Sequence, residues 1–182
     1  DAPACPQQLD GLLTSSMVDP NDLLSITPLG NVSPPGHTAP IDHQYVDPSH
    51  EGPIPLFAPA HAWLVQMREH LVALDGTTYE PQGFVFTLVV CQGFVLDLSA
   101  TNLTDLDPTI RAALPADLST TKDCQLGITK AGHDNTEGAC FFNLNVEVQA
   151  GEKLGITHGV DNGHGGFTME FETWAANYNV EP

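Results

Sequence analysis

Basic side chains are nearly absent from this 182-residue chain: Lys and Arg total 5 against 23 Asp and Glu, for a net charge of -18 at pH 7. So negative a surface repels phosphate backbones and anionic headgroups, which excludes nucleic acid and anionic membrane as partners. Long apolar runs are missing too. The longest, 84–90 followed by 94–98, falls short of the roughly 18 residues needed to span a bilayer, so membrane insertion is not expected. The cysteines form no C-x-x-C pair, and no stretch has the alternating carboxylates of an EF-hand loop. A redox centre, a zinc knuckle and that form of calcium site are therefore not expected. There is no phosphate loop ending in G-K-S/T and no nucleophile elbow. Without an elbow, a triad drawn from Ser99, His37 and Asp97 rests only on common residue types.

What is present points to β structure. The 15 Pro and 16 Gly punctuate many short segments. Strands are expected at 42–46, 53–59, 60–70, 83–91, 94–98, 141–148, 153–157 and 167–174, with Gln92-Gly93 turning one hairpin. One short helix is expected, with Asp107 as N-cap, Pro108 in the first position and Pro115 stopping it. The fold class is an all-β barrel or sandwich of short strands with one short helix and an extended N-terminal arm. The arm, 1–35, carries apolar clusters at Leu9, Leu12, Leu13 and at Leu23, Leu24, Ile26. Such clusters rarely stay in water, so it packs on its own domain, 36–182, or on a neighbouring subunit.

Four cysteines and an opening Asp-Ala-Pro-Ala-Cys suit a secreted or cell-surface chain with two disulfides. Cys124 and Cys140 flank a polar, Gly-rich excursion and read as a local staple. Cys5 with Cys91 then fastens the arm to the core. Asn31 and Asn102 open the sequons Asn31-Val32-Ser33 and Asn102-Leu103-Thr104, candidates for glycosylation.

The chemistry-bearing segment is Gly36-His37-Thr38-Ala39-Pro40-Ile41-Asp42-His43. A His and a carboxylate at this spacing can give zinc two ligands, but a hydrolase needs a third and a base. His43 follows Asp42 directly, so on a strand it faces the other way and is an alternative ligand.

Three segments in order resemble the lysostaphin/LytM-type zinc endopeptidases of the duplicated-hybrid-motif fold, and among them a secreted, uncharacterised group with a PPGHT-x-P-x-DH run. They are Pro34-Pro35-Gly36-His37-Thr38-Ala39-Pro40-Ile41-Asp42-His43, Leu56-Phe57-Ala58-Pro59-Ala60-His61-Ala62-Trp63 and Val148-Gln149-Ala150-Gly151-Glu152-Lys153-Leu154-Gly155. The resemblance implies a peptidase-like scaffold over about 30–174, with His37 and Asp42 at two ligand positions, one residue further apart than in the peptidases. The family's H-x-H-F-E falls on Thr168-Met169-Glu170-Phe171-Glu172. The Phe-Glu tail is kept and both histidines are gone. No His lies at 95–101, where a catalytic one is expected. Glu170 can replace a ligand, giving a His37/Asp42/Glu170 set, but Thr168 cannot shuttle protons near neutral pH.

The expectation is a secreted, non-catalytic β-domain with a structural or interaction role, self-assembling into an extracellular filament or surface layer. Its partners are then further copies of itself or a cell-surface or matrix component. The alternatives are a divergent zinc endopeptidase acting on cell-wall peptides, and a glycan- or wall-binding module stacking sugars on Trp63, Tyr79, Trp174 or Tyr178. No resident cofactor is expected; zinc and calcium are the candidates should the half-site hold a metal.

Overall fold

The computed structural model describes residues 2–6, 11–27, 43–73, 79–101, 105–115, 123–129, 136–158, 160–161 and 167–174. The described strands are β1 (Leu23–Thr27), β2 (His43–Pro48), β3 (Ile54–Phe57), β4 (Ala62–Ala73), β5 (Glu80–Cys91), β6 (Phe94–Thr101), β7 (Cys124–Thr129), β8 (Thr136–Val148), β9 (Lys153–Thr157), β10 (Val160–Asp161) and β11 (Phe167–Trp174), with one α-helix, α1 (Pro108–Ala113). They form a main sheet of order β1-β2-β11-β6-β5-β4-β8-β7, with β10 on β11, and a separate pair β3-β9. Every pairing between these strands is antiparallel, and an isolated parallel bridge joins Ala4 to Gln92. The fold is all-β, built from open sheets.

Alternation along β4 sets the core. Ala62 and Leu64 are buried, and so are Met67, Leu71 and Ala73. The phase changes between Leu64 and Gln66, where the register of both neighbours shifts. Such a bulge adds one residue to the strand, so apolar residues on either side of it can share a face. Phe86 and Leu88 of β5, Leu96 and Leu98 of β6, and Phe142, Val146 and Val148 of β8 complete that face. Ile54 and Leu56 of β3, Leu154 of β9 and Ile110 of α1 belong to the same cluster. The result is a sandwich with one large and one small layer.

The helix forms where local chemistry dictates. The Asp107 carboxylate accepts from the Thr109 amide at 2.8 Å, and Pro108 starts the helix without an orphaned N–H. Leu114 caps its end, with its amide donating to the Arg111 carbonyl.

The N-terminal arm packs on its own chain. The Thr14 and Ser15 amides donate to the Pro59 carbonyl at 2.9 and 3.0 Å, the Phe57 amide donates to Met17, and the Gln92 amide donates to Pro3. Val18 is part of the core, with Leu12 and Leu23 against it. Residues 23–27 do more than pack, since they form the edge strand β1. Leu13, Leu24 and Ile26 nevertheless stay exposed, contrary to the expectation that both apolar clusters are covered. For Leu24 and Ile26 the reason is geometric: two residues apart on β1, they share one face of the strand, and that face is turned to solvent; Leu13 precedes the strand. Leu9 lies outside the described residues.

The disulfides join Cys5 to Cys91 and Cys124 to Cys140. The second links directly opposed positions of β7 and β8. Gly127 of β7, at φ +80°, donates its amide to the Tyr79 hydroxyl at 2.8 Å. The hairpin is thus held by a covalent link and a side-chain bond, with few apolar residues of its own.

Loop-closure entropy ranks the two links. Closing a sequence separation of 86 constrains the unfolded chain by about 4.5 kcal/mol, against about 3 kcal/mol for a separation of 16. Replacing Cys5 and Cys91 by Ser should therefore lower the urea midpoint more than replacing Cys124 and Cys140. Equal losses, or the reverse order, would show that strain or residual structure outweighs chain entropy.

Candidate functional site

His37 and Asp42 lie outside the described residues, as do the sequon residues Asn31 and Asn102. Glu170 lies on β11 opposite Tyr45 of β2, and Glu172 lies opposite His43. On its other side Glu172 stands opposite Asp97 of β6. Directly opposed residues of antiparallel strands share a face, so Asp97, Glu172 and His43 stand in one row across three strands. Asp97 is opposite Thr87 of β5, which lies opposite Gln66 of β4, which lies opposite Asn143 of β8. Gln66 donates to the Asn143 side-chain oxygen at 3.5 Å. A polar row therefore crosses the sheet on the face turned away from the core, flanked on β6 by the buried Leu96 and Leu98 of the other face.

Asp97 is the unusual member of the row. Its Oδ1 is buried without a hydrogen-bond partner, whereas buried polar atoms are nearly always satisfied. Asp97 interrupts the apolar run Phe94-Val95-Leu96-Asp97-Leu98. That interruption was the sequence signal available for it; its proximity to Glu172 was not, because the two lie far apart in the chain. Among residues with described side chains, no group of three or more His, Cys, Asp or Glu gathers as a metal site. β11 and residues 43–45 enter this row through their backbone register.

A second polar spot lies at the start of β4. His61 Nε2 meets Glu147 Oε1 at 2.8 Å on the surface, and its ring lies 4.9 Å from that of Trp63. His61 also borders a cleft of about 410 Å³ with Pro3, Leu12, Val90, Cys91 and Gln149. Thr14 lines the same cleft. Trp63 is half-buried. Tyr79 bonds Gly127 through its hydroxyl. Trp174 ends β11, and Tyr178 lies outside the described residues.

Comparison with family models, curated proteins and solved structures found no match. The two disulfides fit an oxidising compartment, and no helix among the described residues is long and apolar enough to cross a membrane.

Among the described residues a carboxylate is buried on the core side of β4. Glu69 lies on β4 between Met67 and Leu71, opposite Phe84 and Cys140, and is 8% exposed. Burial strips water from its charged form and raises its pKa above the ordinary 4.5. Between that value and the raised folded one, the folded chain holds more protons than the unfolded chain. Stability from this group is therefore full below about pH 4.5 and falls as pH rises through the window. Glu69→Gln removes the titration. By calorimetry its Tm should exceed wild type by a few degrees at pH 7, with the gap closing toward pH 4; a gap unchanged with pH would overturn this account.

Proposed function

We propose that this chain is a non-catalytic β-domain that acts outside the cell by self-association, with copies joining through the edges of the main sheet. The observation that carries the reading is the apolar edge strand β1, where Leu24 is 69% and Ile26 49% exposed. At the other end of the sheet, β7 carries Leu126 at 55% exposure. Edge strands present unpaired backbone donors and acceptors to a further chain, and soluble proteins usually blunt them with charge or proline. Here exposed apolar side chains stand on both strands, Leu24 and Ile26 on β1 and Leu126 on β7. A contact of β1 with β7 of the next copy is head-to-tail and, unless its rotation closes a ring, extends into a filament or layer.

The site chemistry supports the non-catalytic half of the reading. Proton transfer near neutral pH is best served by a positioned imidazole, and β6 and β11 carry Asp97, Thr168, Glu170 and Glu172 with no histidine on either strand. The resemblance to the lysostaphin-type peptidases fits a scaffold kept after its catalytic histidines were lost. The disulfides support an extracellular setting.

The test is the mass of the purified chain across concentration, by light scattering on a sizing column, with negative-stain imaging of assembled fractions. Wild type should form concentration-dependent oligomers. The double change Leu24→Lys with Ile26→Lys should return it to monomer while moving Tm by no more than about 2 °C, as expected for exposed positions. A wild-type monomer at millimolar concentration, or oligomers indifferent to the double change, would sink the proposal.

A further inference from the structure

We infer that the cleft between the N-terminal arm and the chain at the start of β4 and the ends of β5 and β8 binds one unit of a neutral glycan, a role separate from the sheet edges proposed for self-association. Two observations carry it independently. The cleft has a volume of about 410 Å³, within the range of about 300–1,000 Å³ usual for small-molecule sites. Beside it, the Glu147 carboxylate holds two of the polar side chains that line it. Its Oε1 meets His61 Nε2 at 2.8 Å and accepts from Gln149 Nε2 at 3.5 Å.

The cleft is built before any ligand arrives. Its arm wall is tied down by the Cys5–Cys91 disulfide and by the bridge of Ala4 to Gln92. The Gln92 amide donates to the Pro3 carbonyl at 2.8 Å, and its side chain donates to the Ala2 carbonyl at 3.0 Å. Farther along the arm, the Thr14 amide is fixed on Pro59. A preformed site loses little conformational entropy on binding. The polar groups are pre-set as well. With Nε2–H donating to Glu147, the neutral His61 ring keeps Nδ1 as an acceptor, and Gln149 keeps its side-chain oxygen.

The lining selects the ligand. None of the described lining residues is Asp, Glu, Lys or Arg, and His61, the lining group able to ionise, is already paired with Glu147. A charged ligand finds no counter-charge on that wall, and an anionic one also meets a chain of net charge -18. No Phe, Tyr or Trp is among the described lining residues, so a flat aromatic ligand has nothing to stack on. A wholly apolar ligand strips water from Thr14, His61 and Gln149 and returns no hydrogen bond. A neutral sugar meets both demands. Its C–H face suits Pro3, Leu12 and Val90, and its hydroxyls can donate to His61 Nδ1 and to the Gln149 oxygen and exchange bonds with the Thr14 hydroxyl. Thr14, His61 and Gln149 are exposed, so the cleft is open enough for a sugar unit within a longer chain. The contact thus moves away from Trp63 and Tyr79, two of the stacking surfaces expected from the sequence, neither of which lines the cleft.

The test titrates the full chain, isotope-labelled for NMR, with cellotriose, maltotriose, mannotriose and chitotriose as neutral probes and trigalacturonate as the anionic one. At least one neutral probe should bind saturably below about 10 mM and shift the His61 ring and Gln149 side-chain amide signals, while trigalacturonate leaves them in place. His61→Ala and Gln149→Ala should each weaken binding by about threefold to tenfold, the effect of losing one neutral hydrogen bond. Ala150→Trp, at an exposed position of the lining, should fill the cleft and abolish binding; if that variant fails to fold, the two alanine variants decide. Leu24→Lys with Ile26→Lys should leave sugar binding unchanged, which separates this site from the edge contact whichever of the two fails. Four results overturn the inference: no neutral probe bound, binding indifferent to both alanine variants, trigalacturonate bound as tightly as the best neutral sugar, or sugar binding lost with the edge double change.

Discussion

Burial of a single face of the main sheet is the constraint on which the rest of this molecule depends. The small β3-β9 layer and α1 shield Phe86, Leu88, Leu96 and Leu98 together with the inward residues of β4 and β8. Each buried aliphatic or aromatic side chain contributes about 1.5–3 kcal/mol, and the period of two in a strand then sends every alternate residue outward. The outward face of β4, β5 and β6 accordingly carries Gln66, Thr87 and Asp97. The bulge between Leu64 and Gln66 belongs to the same logic, since it keeps both halves of a long strand facing one core.

The strand order adds the second layer of consequence. β11, the last strand, lies between β2 and β6 rather than at an edge. Three stretches of chain that are remote in sequence therefore meet in one row, and the hydrogen bonds of the middle of the sheet wait on the C-terminal strand. Such non-local pairing is slow to form because loop-closure entropy is lost before the contacts are gained. The Cys5–Cys91 link and the arm bonds at Pro59 tie the N-terminal arm to β5 and to the connection between β3 and β4.

Local chemistry was legible in the sequence and long-range adjacency was not. Asp107 and Pro108 specify the helix start by themselves, because a cap and a proline act within one turn. β5, β6 and β8 could be read from apolar runs and alternation, and Gln92-Gly93 marked its own turn. β1 was hidden because Leu24 and Ile26 look like core in a string of letters, and only the sheet edge shows that they face solvent. β7 was hidden because Cys124-Gln125-Leu126-Gly127 has little apolar content; a disulfide and the Tyr79 hydroxyl hold it. The candidate site was missed for a related reason. Glu170 and Glu172 share a face, and choosing between them requires knowing which one meets Asp97, a matter of register that no local pattern encodes.

Charge bears on the edge strands as well. Copies bearing a net charge of -18 repel one another, over a range set by the Debye length of about 8 Å at physiological ionic strength. Nothing basic on β1 or β7 offsets it, since Leu23–Thr27 and Cys124–Thr129 contain no Lys or Arg. Association through these edges must then rest on backbone hydrogen bonds and on burying Leu24, Ile26 and Leu126. Added salt screens the repulsion without weakening those terms, so an edge-built assembly strengthens as ionic strength rises, the opposite of an interface made of ion pairs.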